Sequence, residues 1–174
     1  DLAIYTLALH TGIRISELVS LDVKDINWNN RSFKVIRKRG NEDIVYFDNT
    51  TERVLLDWLD ERTNLKETLG ITDDNEPALF ISTKGRNRGT RLSVRSVERM
   101  VKKYAEIAVP EVKGMHVHSL RSTCATNVYE KSHDLVYTKS LLGHSSVNTT
   151  MRYVKDDEQK KKDNRTLLDR KKDG

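Results

Sequence analysis

The chain has 174 residues, is 36% hydrophobic and 6% aromatic, and carries 31 Lys plus Arg against 26 Asp plus Glu, enough for one core and one domain. Its formal charge of +5 favours a polyanionic partner, its single cysteine, Cys124, excludes an internal disulfide framework, and no apolar run approaches the roughly 20 residues that cross a bilayer. A soluble protein of a reducing, cytoplasmic compartment is expected. The chain opens inside a helix-like stretch without a start methionine, and so reads as a piece of a longer protein.

Apolar residues at Leu2, Ala3, Leu7 and Leu9 predict a helix stopped near Gly12, and a second short helix follows through Glu17 and Leu18 to about Ser20. The Thr11-Gly12-Ile13-Arg14 corner joins them. β-Branched and aromatic runs at 26–28, 32–36 and 44–47, separated by Asn29-Asn30 and Gly40-Asn41, predict a small antiparallel meander. Val54, Leu55, Trp58 and Leu59 then repeat at helical spacing, and 70–77 is a polar connection into a short strand at 78–81.

Lys84 to Gly89 is a basic loop, after which Ser93 caps a helix with Val94, Val97, Val101, Tyr104 and Ala108 on one side, ended by Pro110. Its other side is basic: from Lys84 to Lys103 eight basic residues face Glu98 alone, whereas nine acidic residues between Asp48 and Glu76 face three basic ones. Helices are expected at 119–130, with Leu120, Cys124 and Val128 aligned, and at 134–142, where Asp134 is the N-cap and Gly143 the stop. After Tyr153 the chain is almost wholly charged, with Leu167 and Leu168 as its apolar anchors. Such a segment cannot build a core of its own. The expected fold class is α+β, mainly α, with a small antiparallel three-stranded sheet.

Four groups of residues carry chemistry: Thr11-Gly12-Ile13-Arg14-Ile15-Ser16-Glu17-Leu18; Lys38 in the meander; His118-Ser119-Leu120-Arg121; and Leu141-Leu142-Gly143-His144, followed nine residues later by Tyr153. Their order, Arg, Lys, His-x-x-Arg, His, Tyr, resembles that of the tyrosine recombinases, or phage-type integrases, over nearly the whole chain. The resemblance implies a catalytic domain over residues 1–154 and a charged tail over 155–174 that docks on a neighbouring protomer. It also implies an amino-terminal DNA-binding domain that this stretch lacks, double-stranded DNA as partner, and a homotetramer on paired sites. In the implied reaction Tyr153 attacks a DNA phosphate to give a 3′-phosphotyrosyl link, which a 5′-hydroxyl later reverses. No metal or nucleotide cofactor is expected, because the covalent link retains the energy of the phosphodiester.

These residue types suit that task. Guanidinium forks bind the non-bridging oxygens of a phosphoryl transition state and stay charged at any working pH, which fits Arg14 and Arg121. A phenol of ordinary pKa near ~10 must lose its proton to attack, for which His118 is the candidate, with His144 donating to a phosphate oxygen. The departing 5′-oxygen needs a proton, which suits Lys38, where flanking Arg37 and Arg39 favour the neutral amine. The family's lysine commonly sits between glycines, so Lys34 and Arg39 compete with this assignment. Glu17, three residues after Arg14, holds that arginine or a histidine in place. Lys84, Arg86, Arg88, Arg91, Arg95 and Arg99 are the expected phosphate contacts.

Blander readings exist for each residue. Tyr153 can be a packed helix residue, the histidines ordinary surface groups, Arg14 and Arg121 partners of Glu17 or Asp22, the basic run a solvated face, and Cys124 a small core residue. His116, His118, His133, His144 and Cys124 follow no zinc spacing. The five-part motif in order outweighs these readings and favours a recombinase of a mobile element or phage, with a resolvase of replicon or chromosome dimers equally compatible. The rivals are a type IB topoisomerase, told apart by the amount of strand exchange between duplexes, and a DNA-binding regulator of the same fold without activity.

Overall fold

Leu2–Thr11 is apolar nearly all round, and it forms α1 with Ala3, Ile4, Leu7 and Ala8 buried, as expected for a helix enclosed on most sides. The computed structural model describes residues 1–37, 40–108, 110–111 and 116–143. Gly12 ends α1 at φ 61, its N–H bonded to the Ala8 carbonyl at 3.0 Å. This left-handed stop is open to glycine without cost. After it come α2 (Ile15–Ser20), a single 3₁₀ turn (Val23–Asp25), and strands β1 (Ile26–Asn27), β2 (Ser32–Ile36) and β3 (Glu42–Tyr46). The strands form an antiparallel sheet in the order β1-β2-β3, with Phe33 opposite Val45 and Val35 opposite Asp43. β3 begins two residues earlier and ends one residue earlier than its β-branched run suggested.

α3 (Asn49–Leu69) follows, capped by Asp48, whose carboxylate accepts from the Thr51 N–H at 2.8 Å and from His10 Nδ1 at 2.9 Å. One cap therefore also ties the last turn of α1 to the start of α3, and the two helices pack together. Leu55 and Trp58 are buried, with the Trp58 ring stacked on Phe80 at 6.0 Å.

The expected strand at 78–81 is absent. Ala78 and Ile81 instead make two isolated bridges, to Asp22 and to Arg91. The reason is that α3 side chains take the carbonyls a ladder would use: Arg62 Nε donates to Ala78 at 2.8 Å and Trp58 Nε1 to Leu79 at 2.8 Å.

Ser93 caps α4 (Val94–Ala108), its Oγ accepting from the Ser96 N–H at 3.2 Å. Val97, Val101 and Ala105 are its buried stripe. Tyr104 and Ala108, expected on that stripe, are exposed, because continuing the i+4 step from Val101 reaches Ala105 rather than Tyr104. Tyr104 lies edge-on to Tyr5 and donates to the Asp1 carboxylate at 2.8 Å.

The chain divides into two compact units, Asp1–Cys124 and Ala125–Gly174. α5 (Val117–Ser132) runs across that division. In the first unit Leu120 and Cys124 are buried. In the second, Ala125 and Leu142 are buried together, and α6 (Leu135–Leu142) starts on Asp134, which accepts from the Tyr137 N–H at 2.9 Å, and stops at Gly143 with φ 58. No helix among the described residues is long and apolar enough to cross a membrane.

Two cations inside the first unit depend on a single carboxylate. Arg62 and Lys66 have side chains only 3% and 5% exposed, and both reach Asp73, at 2.8 and 2.7 Å. The Lys66 hydrogen bond, against partial burial and with help from Arg62, holds the Asp73 carboxyl below the ordinary aspartate range. A depressed carboxylate pKa contributes stability that is present above about pH 4 and lost as pH falls through the folded-state value. Asp73→Asn is therefore expected to lower the melting temperature at pH 7, with the gap to the parent closing on acidification below about pH 4. Thermal denaturation across that range checks it, and a gap that persists at low pH would count against this role.

Candidate active site

The α1–α2 corner exists because α1 must stop and the chain must turn inward, since Ile13 and Ile15 are both buried. Thr11 secures the turn: its hydroxyl donates to the Leu7 carbonyl at 2.6 Å and accepts from the Ile13 N–H at 3.3 Å. Arg14 sits at the N-cap of α2 with its side chain 37% exposed.

Glu17, whose side chain is 6% exposed, closes on that cap. Its Oε1 accepts from Arg14 Nη1 at 2.7 Å, and its Oε2 accepts from the Arg14 N–H at 3.1 Å and from Arg37 Nη1 at 3.4 Å. The expected hold of Glu17 on Arg14 is present as this contact. A buried carboxylate needs such partners, because removing one member of a buried pair leaves an uncompensated charge at a cost of about 3–5 kcal/mol.

Arg121 reaches the same corner from α5. Its Nη1 donates to the carbonyl of Gly12 across 109 residues of sequence, and the residue is buried. Arg121 thus bonds to the backbone two residues before Arg14. His118 lies three residues before Arg121, in the first turn of α5, and is exposed. The N-terminus of that helix is closed by His116 and Ser119, which exchange a backbone bond at 2.8 Å and an N–H to Oγ bond at 3.2 Å.

Lys38, Arg39, His144, Tyr153 and the charged tail lie outside the described residues. The residues around Lys38 are informative nonetheless. Lys34 points to the solvent side of β2, where its Nζ pairs with Glu42 at 2.6 Å. Arg37 continues the inward register of Phe33 and Val35, and its side chain is 9% exposed. Its Nε pairs with Asp43 at 2.8 Å and its Nη1 with Glu17 at 3.4 Å. Arg37, expected as a like charge beside Lys38, is itself paired with two carboxylates. Sequence reasoning treated Arg37 as a neighbour of Lys38 and missed it as a partner of Glu17; its position two residues after Val35 on an alternating strand was the available signal.

The basic segment divides in two. Lys84, Arg86, Arg88, Arg95 and Arg99 are exposed, and Lys84, Arg86, Arg91 and Arg99 line a recess of about 190 Å³ with Ser93 and Ser96. Arg91 is different. Its guanidinium pairs with Asp22 at 2.5 Å and donates to the Val19 and Leu21 carbonyls at 3.1 and 3.2 Å, so it braces the loop against the α2 exit. Gly89, at φ 87, closes the loop, and a Cβ there would meet Leu69 and Ile71.

Among the described residues no group of three or more His, Cys, Asp or Glu is arranged to hold a metal ion.

Residues 1–160 match the phage integrase family. The chain is 38% identical over 154 residues to the tyrosine recombinase XerC of Shewanella amazonensis, an alignment that covers 88% of this chain and 48% of that protein. In fold it is similar to the crystal structure of XerA recombinase, with a TM-score of 0.72 and 31% identity over 87% of this chain and 51% of the other. It is similar too to XerH site-specific recombinase bound to palindromic difH substrate in a post-cleavage complex, with a TM-score of 0.75 and 25% identity over 96% of this chain and 45% of the other. The chain spans about half the length of the curated relatives it matches.

Cys124 is one turn beyond Arg121 on α5 and is 1% exposed. Burial pushes its thiol up to about 11, with the Arg121 charge pulling in the opposite direction. Only about one molecule in a thousand then carries the thiolate at pH 8. Iodoacetamide is expected to leave Cys124 unmodified in the native protein at pH 8 and to label it after denaturation, as read by mass spectrometry. Rapid labelling of the native protein would overturn its assignment as a core residue.

Proposed function

The chain belongs to the phage integrase family, and on that premise we propose that it is the DNA-cleaving domain of a site-specific recombinase that breaks and rejoins strands through a 3′-phosphotyrosyl bond at Tyr153. The single observation that carries this reading is the corner at Gly12 to Glu17, where the Arg121 bond to the Gly12 carbonyl and the Glu17 bond to Arg14 gather two guanidinium groups from distant parts of the chain. Two preorganised arginines are what the transition state of phosphoryl transfer requires, since its charge lies on non-bridging oxygens. Support for a DNA partner comes from the exposed cations Lys84, Arg86, Arg88, Arg95 and Arg99, proposed as phosphate contacts, and from the relative captured on its substrate after cleavage. Arg91 contributes by holding their loop.

In this mechanism the Tyr153 oxygen forms a bond to phosphorus while the bond to the 5′-oxygen breaks. The phenolic proton passes to His118, the 5′-oxygen takes a proton from Lys38, and His144 donates to a non-bridging oxygen. A 5′-hydroxyl from another strand reverses each transfer. The whole protein would act as a tetramer on paired sites, with residues 1–154 as the catalytic domain and the charged segment 155–174 reaching a neighbouring protomer. Integration or excision of a mobile element or phage is the role proposed for it; separation of replicon or chromosome dimers would use the same chemistry.

Tyr153→Phe is expected to abolish covalent attachment to a nicked suicide substrate while leaving non-covalent binding unchanged, and the parent protein should form the complex equally well in excess chelator. Gel mobility after protease treatment reads the complex, and parent levels of it in the Phe variant would sink the proposal. Lys38→Ala should slow cleavage by roughly a hundredfold or more. On DNA with sulfur in place of the bridging 5′-oxygen it should match the parent, since a thiolate leaves without a proton, whereas Arg14→Ala should remain slow on both substrates. Sulfur rescue of Lys34→Ala or His118→Ala in place of Lys38→Ala would move the general acid to that residue.

A further inference from the structure

An arginine at the end of a two-sided hairpin strand is ordinarily solvated, since its charge is costly to bury. Arg37 is not: its side chain is 9% exposed, and it bridges two carboxylates from different elements, Asp43 on β3 at 2.8 Å and Glu17 on α2 at 3.4 Å. Its backbone forms the base of the β2–β3 turn, with the Arg37 N–H donating to the Asn41 carbonyl at 2.7 Å and the Gly40 N–H donating to the Arg37 carbonyl at 3.1 Å. The sheet has apolar anchoring without it, because Phe33, Val35 and Val45 are buried in the core. What Arg37 adds is a link between the base of this turn and the corner that carries Arg14, through the carboxylate that Arg14 itself uses. The residue next along the chain is Lys38.

We propose that Arg37 is a positioning residue: by bridging Glu17 and Asp43 it fixes the base of the β2–β3 turn against the Arg14 corner, and its loss is felt as misplacement of Lys38. The inference rests on the reading of Lys38 as general acid. A mispositioned acid slows only a step that needs its proton, so the defect should depend on the leaving group. A defect in folding or in Arg14 would not.

The experiment uses the full-length protein on suicide substrates with oxygen or sulfur at the bridging 5′ position. Arg37→Gln is expected to cleave the oxygen substrate about tenfold more slowly or worse at near-parent KM, and the sulfur substrate within about threefold of the parent. Arg37→Lys, which keeps the charge and loses the fork, should fall between. Parent-level cleavage by Arg37→Gln, or an equal loss on both substrates, overturns the proposal. If Arg37→Gln fails to fold, Asp43→Asn, which leaves the Glu17 pair in place, must show the same sulfur-dependent loss, and its absence overturns the proposal. Arg37→Gln combined with Lys38→Ala should be no slower than Lys38→Ala alone; losses that multiply refute it. Should Lys38→Ala itself escape sulfur rescue, the general-acid reading fails separately, and this double variant then decides whether Arg37 acts through Lys38.

Discussion

The carboxylate of Glu17 has to be buried and yet satisfied, and much of the geometry of the site follows from that constraint. Three donors converge on it: the backbone N–H and the guanidinium of Arg14, and the guanidinium of Arg37. The first starts α2, the second orients Arg14, and the third ties the hairpin to both. Because a buried charge without partners costs several kcal/mol, these three contacts depend on one another. The Gly12 carbonyl does the corresponding work for Arg121. It has this acceptor available because a left-handed residue ends α1 there.

A chain with so many cations has to separate those that hold the fold from those that face solvent. Arg62 and Lys66 are buried against Asp73 and the carbonyls of Glu76 and Ala78, and Arg91 is held by Asp22. In each case the acceptors belong to the fold itself, whether backbone carbonyls or carboxylates. Arg86, Arg88 and Arg95 are exposed on the loop and on α4. The acidic residues divide in the same way, for Glu17, Asp22 and Asp73 receive cations, while Asp57, Asp60 and Glu61 face solvent on α3. Net charge therefore understates how basic the loop and α4 surface is, since much of the acidity lies on α3.

Much of the fold was legible in order. Helical periodicity and stop signals located α1, α2, α5 and α6 closely, because Gly12, Asp134 and Gly143 act through local backbone chemistry that any window of the sequence contains. The strand expected at 78–81 failed for a non-local reason: its carbonyls are claimed by Arg62 and Trp58 from α3, which no window around Ala78 includes. Tyr104 was misplaced because an aromatic residue at helical spacing reads as core, whereas here its ring sits at the edge of Tyr5 with its hydroxyl on Asp1.

For the site, the sequence by itself determined the order Arg14, Lys38, His118, Arg121, His144 and Tyr153 of the residues proposed to react, because chemistry depends on side-chain type and a family's order persists along the chain. It also determined that Glu17 would lie near Arg14, since three residues on a helix share a face. Only the tertiary structure decided that Arg121 meets the corner through the Gly12 carbonyl, that Arg91 pairs with Asp22, and that Arg37 turns inward to share Glu17. The physical reason is common to all three: a guanidinium finds the acceptors that packing brings within about 3 Å of it, and those acceptors lie 20 to 109 residues away in sequence.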